Sequence, residues 1–213
     1  MLFRSLAIRL EIGDRSGAAT DYGNLGTVYR SYCKHVKAEE YHHKALAIRS
    51  EIGDRRGEAS DYVNLGYVYQ SRGEYIKAEE YYNKSLAIAT VLGEKQLEAS
   101  AYGNLGTLFQ HSGEYAKAKE YLEKSLLITI ESGDKGGEAT SYGNLGTTFQ
   151  SIGEQTTARE CHEKALTIRK TIGDREGEAS SHENLGSVFA SLGENVKSLE
   201  HHENCVTNWC GKR

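Results

Sequence analysis

The sequence contains no proline in 213 residues, where average usage of about 5% would supply roughly ten. X-Pro turns, proline-rich linkers and proline-terminated helices are therefore excluded. Long apolar runs are also missing, so no segment supplies the roughly 20 apolar residues that a membrane-spanning helix needs. The opening MLFRSLAIRLEIGDR is interrupted by Arg4, Arg9 and Glu11, which leaves no room for the apolar core of a signal peptide. The four cysteines, Cys33, Cys161, Cys205 and Cys210, are scattered without paired spacing, which argues against a disulfide framework and for a reducing, cytoplasmic setting. With 26 basic against 30 acidic residues and a formal charge of -4, the chain lacks the excess positive charge that draws proteins to nucleic acid or acidic lipid. Glycine, by contrast, is plentiful at 23 residues.

The tripeptide Asn-Leu-Gly begins at Asn24, Asn64, Asn104, Asn144 and Asn184, a strict period of 40 residues. Self-similarity at such a period is the signature of a repeat architecture. The period predicts units at 14–53, 54–93, 94–133, 134–173 and 174–213, preceded by a partial unit at 1–13. Leu6-Ala7-Ile8-Arg9 aligns with Leu46-Ala47-Ile48-Arg49, so the chain starts within a unit and a longer natural protein is expected. The last unit drifts and ends in a divergent tail, ENCVTNWCGKR.

Within a unit Ala59, Tyr62, Leu65, Gly66 and Tyr69 recur at steps of three and four, the apolar stripe of a helix. A second stripe, Tyr75, Ala78, Tyr82, Ser85 and Leu86, has the same period and predicts a second helix packed on the first. Gly73 and Gly53 are expected to end the helices in left-handed conformation, with Asp54 capping the start of the next. A glycine such as Gly66 inside a helix costs about 1 kcal/mol. Its recurrence predicts a helix contact too close for a side chain, with the small Ala78 facing the gap.

Tyr62, Leu65, Gly66, Tyr69, Gly73, Tyr75, Ala78, Tyr82, Ser85 and Leu86 fall at the signature positions of the tetratricopeptide repeat, which this chain resembles over nearly its whole length. The 40-residue unit is similar to the Pins/LGN group of G-protein signalling modulators and to large repeat arrays of invertebrates and bacteria. The resemblance implies an all-α, right-handed α-solenoid of antiparallel helix pairs, with first helices lining a concave surface. It further implies peptide recognition there, including a role as a G-protein-signalling or cell-polarity adaptor. Where the Pins/LGN group carries arginines one turn before the asparagine, this sequence has Thr20, Ser60, Ser100, Thr140 and Ser180.

Four rows of first-helix positions lie outside the packing stripe. They are Asn24, Asn64, Asn104, Asn144 and Asn184; Thr27, Tyr67, Thr107, Thr147 and Ser187; Arg30, Gln70, Gln110, Gln150 and Ala190; and Gly23, Val63, Gly103, Gly143 and Glu183. Asparagine competes for backbone hydrogen bonds and is a mediocre helix former, so five copies at one position call for a reason. Its amide matches the C=O and N–H groups of an extended peptide, and it can equally bond to an adjacent helix. Tyr67, the one aromatic of its row, fits either an anchor for a peptide or a packing residue. Arg30 is the only basic residue on these rows, too little charge for a two-carboxylate clamp, so the surface fits an extended, uncharged or weakly charged peptide.

No nucleophile elbow, phosphate loop or dinucleotide fingerprint occurs, and Gly133-Asp134-Lys135-Gly136-Gly137 reads as an inter-repeat corner. His201, His202, Cys205 and Cys210 cluster in the tail but fall largely on packing positions, so neither metal nor cofactor is expected. The pattern predicts a non-catalytic interaction scaffold, with self-association through terminal repeats possible. The alternative is a sensor or substrate-recruiting region of a larger multidomain enzyme or signalling protein.

Overall fold

The computed structural model describes the backbone of residues 2–210 and the side chains of residues 2–206; Cys210 and the last residues of the tail lie outside the described side chains. The described residues form eleven helices and no strand: α1 (Leu2–Glu11), α2 (Arg15–Ser31), α3 (His35–Ile52), α4 (Arg55–Ser71), α5 (Tyr75–Leu92), α6 (Lys95–His111), α7 (Tyr115–Ser132), α8 (Lys135–Ser151), α9 (Gln155–Ile172), α10 (Arg175–Ser191) and α11 (Asn195–Cys210). The chain divides into two compact units, Met1–Asn104 and Leu105–Arg213, with the boundary in the sequence of α6. In unit 1, α1 packs on α2, α2 on α3, α3 on α4 and α4 on α5; in unit 2, α7 packs on α8, α8 on α9, α9 on α10 and α10 on α11.

The corners follow from local chemistry. Asp54 accepts a 2.9 Å hydrogen bond from the Gly57 N–H, satisfying an otherwise orphan donor at the start of α4. Asp14, Asp134 and Asp174 do the same for α2, α8 and α10. Gly53, at φ +73°, ends α3 in the left-handed region expected of it. The turn from α2 to α3 departs from the rule, because Cys33 holds φ +56° where the equivalent turns place Gly73, Gly113, Gly153 and Gly193. Glu74 precedes α5 but gives it no side-chain cap bond.

Each helix buries its predicted stripe. Ala59, Leu65, Ala78, Tyr82 and Ser85 are fully enclosed, and each large apolar side chain among them contributes about 2 kcal/mol by leaving water. Tyr75 departs from expectation: it begins α5 and is 37% exposed. The close contact at the in-helix glycines is also made by a different residue than Ala78. A Cβ on Gly26 would lie 2.6 Å from the His42 ring, on Gly106 2.5 Å from Leu122 and on Gly146 2.6 Å from the His162 ring, and at Gly66 it would strike the Tyr82 ring. The glycine thus makes room for the large side chain that the second helix carries four residues beyond its buried alanine.

Candidate interaction surface on the first helices

The sequence-predicted surface residues all lie on first helices: Asn24, Thr27 and Arg30 on α2; Val63, Asn64, Tyr67 and Gln70 on α4; Asn104, Thr107 and Gln110 on α6; Asn144, Thr147 and Gln150 on α8; Asn184 on α10. Every one is partly or fully open to solvent, while Leu25, Leu65, Leu105, Leu145 and Leu185, next to each asparagine, are buried. The alternation follows from helical geometry: burying one stripe turns the residues a third of a turn away outward.

Unit 1 binds several of these residues into a network. The Tyr67 hydroxyl donates to Asn104 Oδ1 at 2.6 Å, tying α4 to α6. The Tyr67 ring meets the Tyr82 ring edge to face at 5.7 Å, and the Arg30 guanidinium lies 5.1 Å from its centre. The Tyr82 hydroxyl in turn donates to Gln70 Oε1 at 2.7 Å. Burial pushes the Tyr67 phenol above its ordinary pKa, against the pull of the Arg30 charge. Arg30 Nε is buried without an acceptor, so the guanidinium rests on an aromatic face and not on a carboxylate.

The asparagines divide by what they do. Asn104 accepts from Tyr67, whereas the side chains of Asn24, Asn64, Asn144 and Asn184 make no hydrogen bond among the described residues. The neighbouring hydroxyls are occupied within their own helices: Thr27 donates to the Gly23 carbonyl, Thr147 to Gly143 and Ser187 to Glu183, all at 3.1–3.2 Å. The positions one turn earlier behave alike, since Thr20, Ser60, Ser100, Thr140 and Ser180 each donate to the carbonyl four residues back. Free polar capacity on this face thus lies in the asparagine row, together with the side-chain amides of Gln110 and Gln150.

The fourth row has a floor that sequence reasoning missed. A Cβ on Gly23 would stand 3.7 Å from Asp61 Oδ1 and 3.9 Å from Arg49 Nη2, and one on Gly143 would stand 3.6 Å from Arg169 Nη2. Arginines from the second helices therefore reach beneath the glycines of the first. A partial signal was in the repeat: Gly23 and Gly143 accompany Arg49 and Arg169 and Val63 accompanies the small Ala89 and Ala101, although Gly103 accompanies the neutral Thr129.

Among the described residues no group of three or more His, Cys, Asp and Glu is placed to hold a metal. In the tail His182 Nδ1 and His201 Nδ1 share a 2.9 Å hydrogen bond, with the His201 ring 5.2 Å from Phe189. His202 is exposed overall, although its ring lies against Gly186.

Stacked helix pairs with a buried stripe and an outward polar row define a helical-repeat protein of the solenoid class. The chain belongs to the tetratricopeptide-repeat family, whose profile matches residues 18–90 and 97–171. No curated protein sequence matches it. Among solved structures it is similar to BtubC (BKLC) from P. vanneervenii, at 23% identity and TM-score 0.83, covering 99% of this chain and 89% of that one. It is also similar to a kinesin light chain with nearly identical repeats from P. anserina, at 17% identity and TM-score 0.70, covering 91% and 96%. A Rap protein complexed with competence and sporulation factor matches at 15% identity and TM-score 0.79, covering 91% of this chain and 54% of that one. These likenesses establish an all-α solenoid fold, and no described helix is long and apolar enough to cross a membrane.

Proposed function

We propose that this chain is a non-catalytic scaffold whose first helices hold an extended, weakly charged peptide segment of a partner protein. The observation that carries the reading is the set of four asparagine amides, Asn24, Asn64, Asn144 and Asn184, open to solvent and unspent among the described residues. Each offers two donors and an acceptor at a fixed register, suited to main-chain N–H and C=O groups. Asn104 serves instead as the acceptor that holds Tyr67. The reading draws support from the similar Rap protein, which was solved in complex with competence and sporulation factor. An adaptor role of the G-protein-signalling type would have to work without arginines at Thr20, Ser60, Ser100, Thr140 and Ser180. Self-association through the end helices draws support from Phe3 and Leu10 on α1 and from Leu199 and Val206 on α11, each at least half exposed.

The test is a peptide-display selection on the intact chain, repeated with Asn64→Ala and Asn144→Ala together. Neither side chain holds a helix, so the fold should persist while affinity for the selected peptides falls at least tenfold. An unchanged set of binders would show that the row serves another purpose.

A further inference from the structure

The arginines beneath the glycine row are balanced differently in the two units. In unit 1, Arg49 Nη1 donates to the Gly57 carbonyl at 2.8 Å and lies 3.0 Å from Asp61 Oδ2, and Arg9 Nη1 lies 3.4 Å from Asp21 Oδ1. In unit 2, Arg169 Nη1 donates to the Gly177 carbonyl at 2.7 Å and to Ser181 Oγ at 2.8 Å. Ser181 stands where the other two clusters have aspartate, and Arg169 has no carboxylate within ion-pair reach among the described residues. Both of its bonds leave from Nη1, and Nη2 points toward the space that Gly143 leaves open. The nearest counter-charge is Asp174, which only partly offsets the burial that pushes the guanidinium below its ordinary pKa.

The neighbouring histidine lacks the nearby carboxylate as well. His162 is fully enclosed, and neither ring nitrogen has a partner. Its counterpart in unit 1, His42, is equally enclosed and its ring nitrogens also make no hydrogen bond, but Nδ1 has the Asp61 carboxylate 3.9 Å away. An enclosed histidine and a half-buried guanidinium thus surround the place where an aspartate side chain sits in the equivalent cluster. A half-buried cation without a counter-charge is costly, and a carboxylate would answer the guanidinium as Asp61 does Arg49 at 3.0 Å.

We propose that a ligand supplies the missing carboxylate: an aspartate or glutamate side chain of the bound peptide passes over Gly143 and pairs with Arg169 Nη2, with the Ser181 hydroxyl as a second donor. The inference rests on the peptide-binding reading and sharpens it. An otherwise weakly charged segment carries one acidic residue at a fixed place, read by unit 2.

The experiment compares the intact wild-type chain with Ser181→Asp, which restores the residue found at Asp21 and Asp61 and so fits a cluster of the same composition as His42–Arg49–Asp61. Two displayed libraries of ten-residue peptides are used, one allowing Asp and Glu at every position and one allowing only Asn and Gln in their place. The wild type should favour acidic over amide peptides at least tenfold at one position, and Ser181→Asp should lose that preference while still retaining the amide peptides. Equal preference in both proteins, or none in the wild type, overturns the proposal. Failure of the wild type to retain any peptide sinks the peptide-binding reading instead, and a second arm then decides the site alone. Sodium acetate replaces sodium chloride at constant ionic strength while the arginine side-chain N–H resonances are followed. A saturable shift at Arg169 in the wild type and none in Ser181→Asp supports the site; no shift in either overturns it.

Discussion

The cluster His42–Arg49–Asp61 in unit 1 and the cluster His162–Arg169–Ser181 in unit 2 occupy the same places in their helix pairs, yet they bury an arginine under different electrostatic terms. In the first the guanidinium has a carboxylate at 3.0 Å; in the second it has a hydroxyl at 2.8 Å. Where the arginine position is neutral, as Ala89 or Thr129, the aspartate position is Ala101 or Ser141. Charge in this layer is therefore a property of the pair, and Arg169 is the member that retains the cation after losing the anion. The comparison separates a cluster whose arginine has its counter-charge inside the fold from one whose arginine does not.

The largest expected difference is the response to acid. Burial pushes His162 down to about 4, with the Arg169 charge adding to the effect. Above the ordinary histidine value of about 6.5 both folded and unfolded chains carry the neutral ring, so its titration adds no cost. Between there and about pH 4 the unfolded chain takes up a proton and the folded one does not, so stability falls by about 3 kcal/mol over that window. His162→Leu should abolish this loss, and Leu122 shows that leucine fits the equivalent position against Gly106. Urea midpoints measured from pH 7 to pH 4 in both proteins test it; parallel curves would mean that His162 is not the titrating group.

Giving unit 1 the chemistry of unit 2 should have a smaller effect. Asp61→Ser removes the ion-pair partner of Arg49, and losing a charge partner in a buried setting costs about 2 kcal/mol. The cost stays below the full Coulomb energy because burial already holds the Asp61 carboxyl above the usual carboxylate range, against the pull of His42 and Arg49. A urea midpoint at pH 7 that moves by less than the equivalent of about 0.5 kcal/mol would show that the pair contributes nothing beyond its solvation cost.

The contrast between the clusters also shows what could be read from the sequence. The helix pairs, their corners and the outward rows follow from a strict period and the requirements of caps, so Gly53, Asp54 and the asparagine register were legible from residue types alone. The partner of Gly66 was not. Periodicity says that a helix contact is close, but which side chain fills it depends on the crossing geometry, and the Tyr82 ring takes the place expected of Ala78. The Tyr67–Asn104 bond spans 37 residues and two repeats, a proximity that exists only after stacking. Arg49, Asp61 and Gly23 likewise come from three helices, and only their joint variation along the chain hinted that they meet.

The smallest effect concerns the turns that bring those helices together. Unit 1 makes its α2–α3 turn with Cys33 at φ +56°, and unit 2 makes the equivalent α8–α9 turn with Gly153 at φ +85°. A side chain in the left-handed region costs about 1 to 2 kcal/mol, while glycine returns roughly 0.5 to 1 kcal/mol of that as extra freedom in the unfolded chain. Cys33→Gly should therefore stabilise the protein by about 0.5 to 1 kcal/mol, and Gly153→Cys should destabilise it by a similar amount. Urea midpoints of the two variants, read at constant slope, should move in opposite directions. Movement of both in the same direction would show that contacts of the Cys33 side chain, not its backbone, set the stability of the turn.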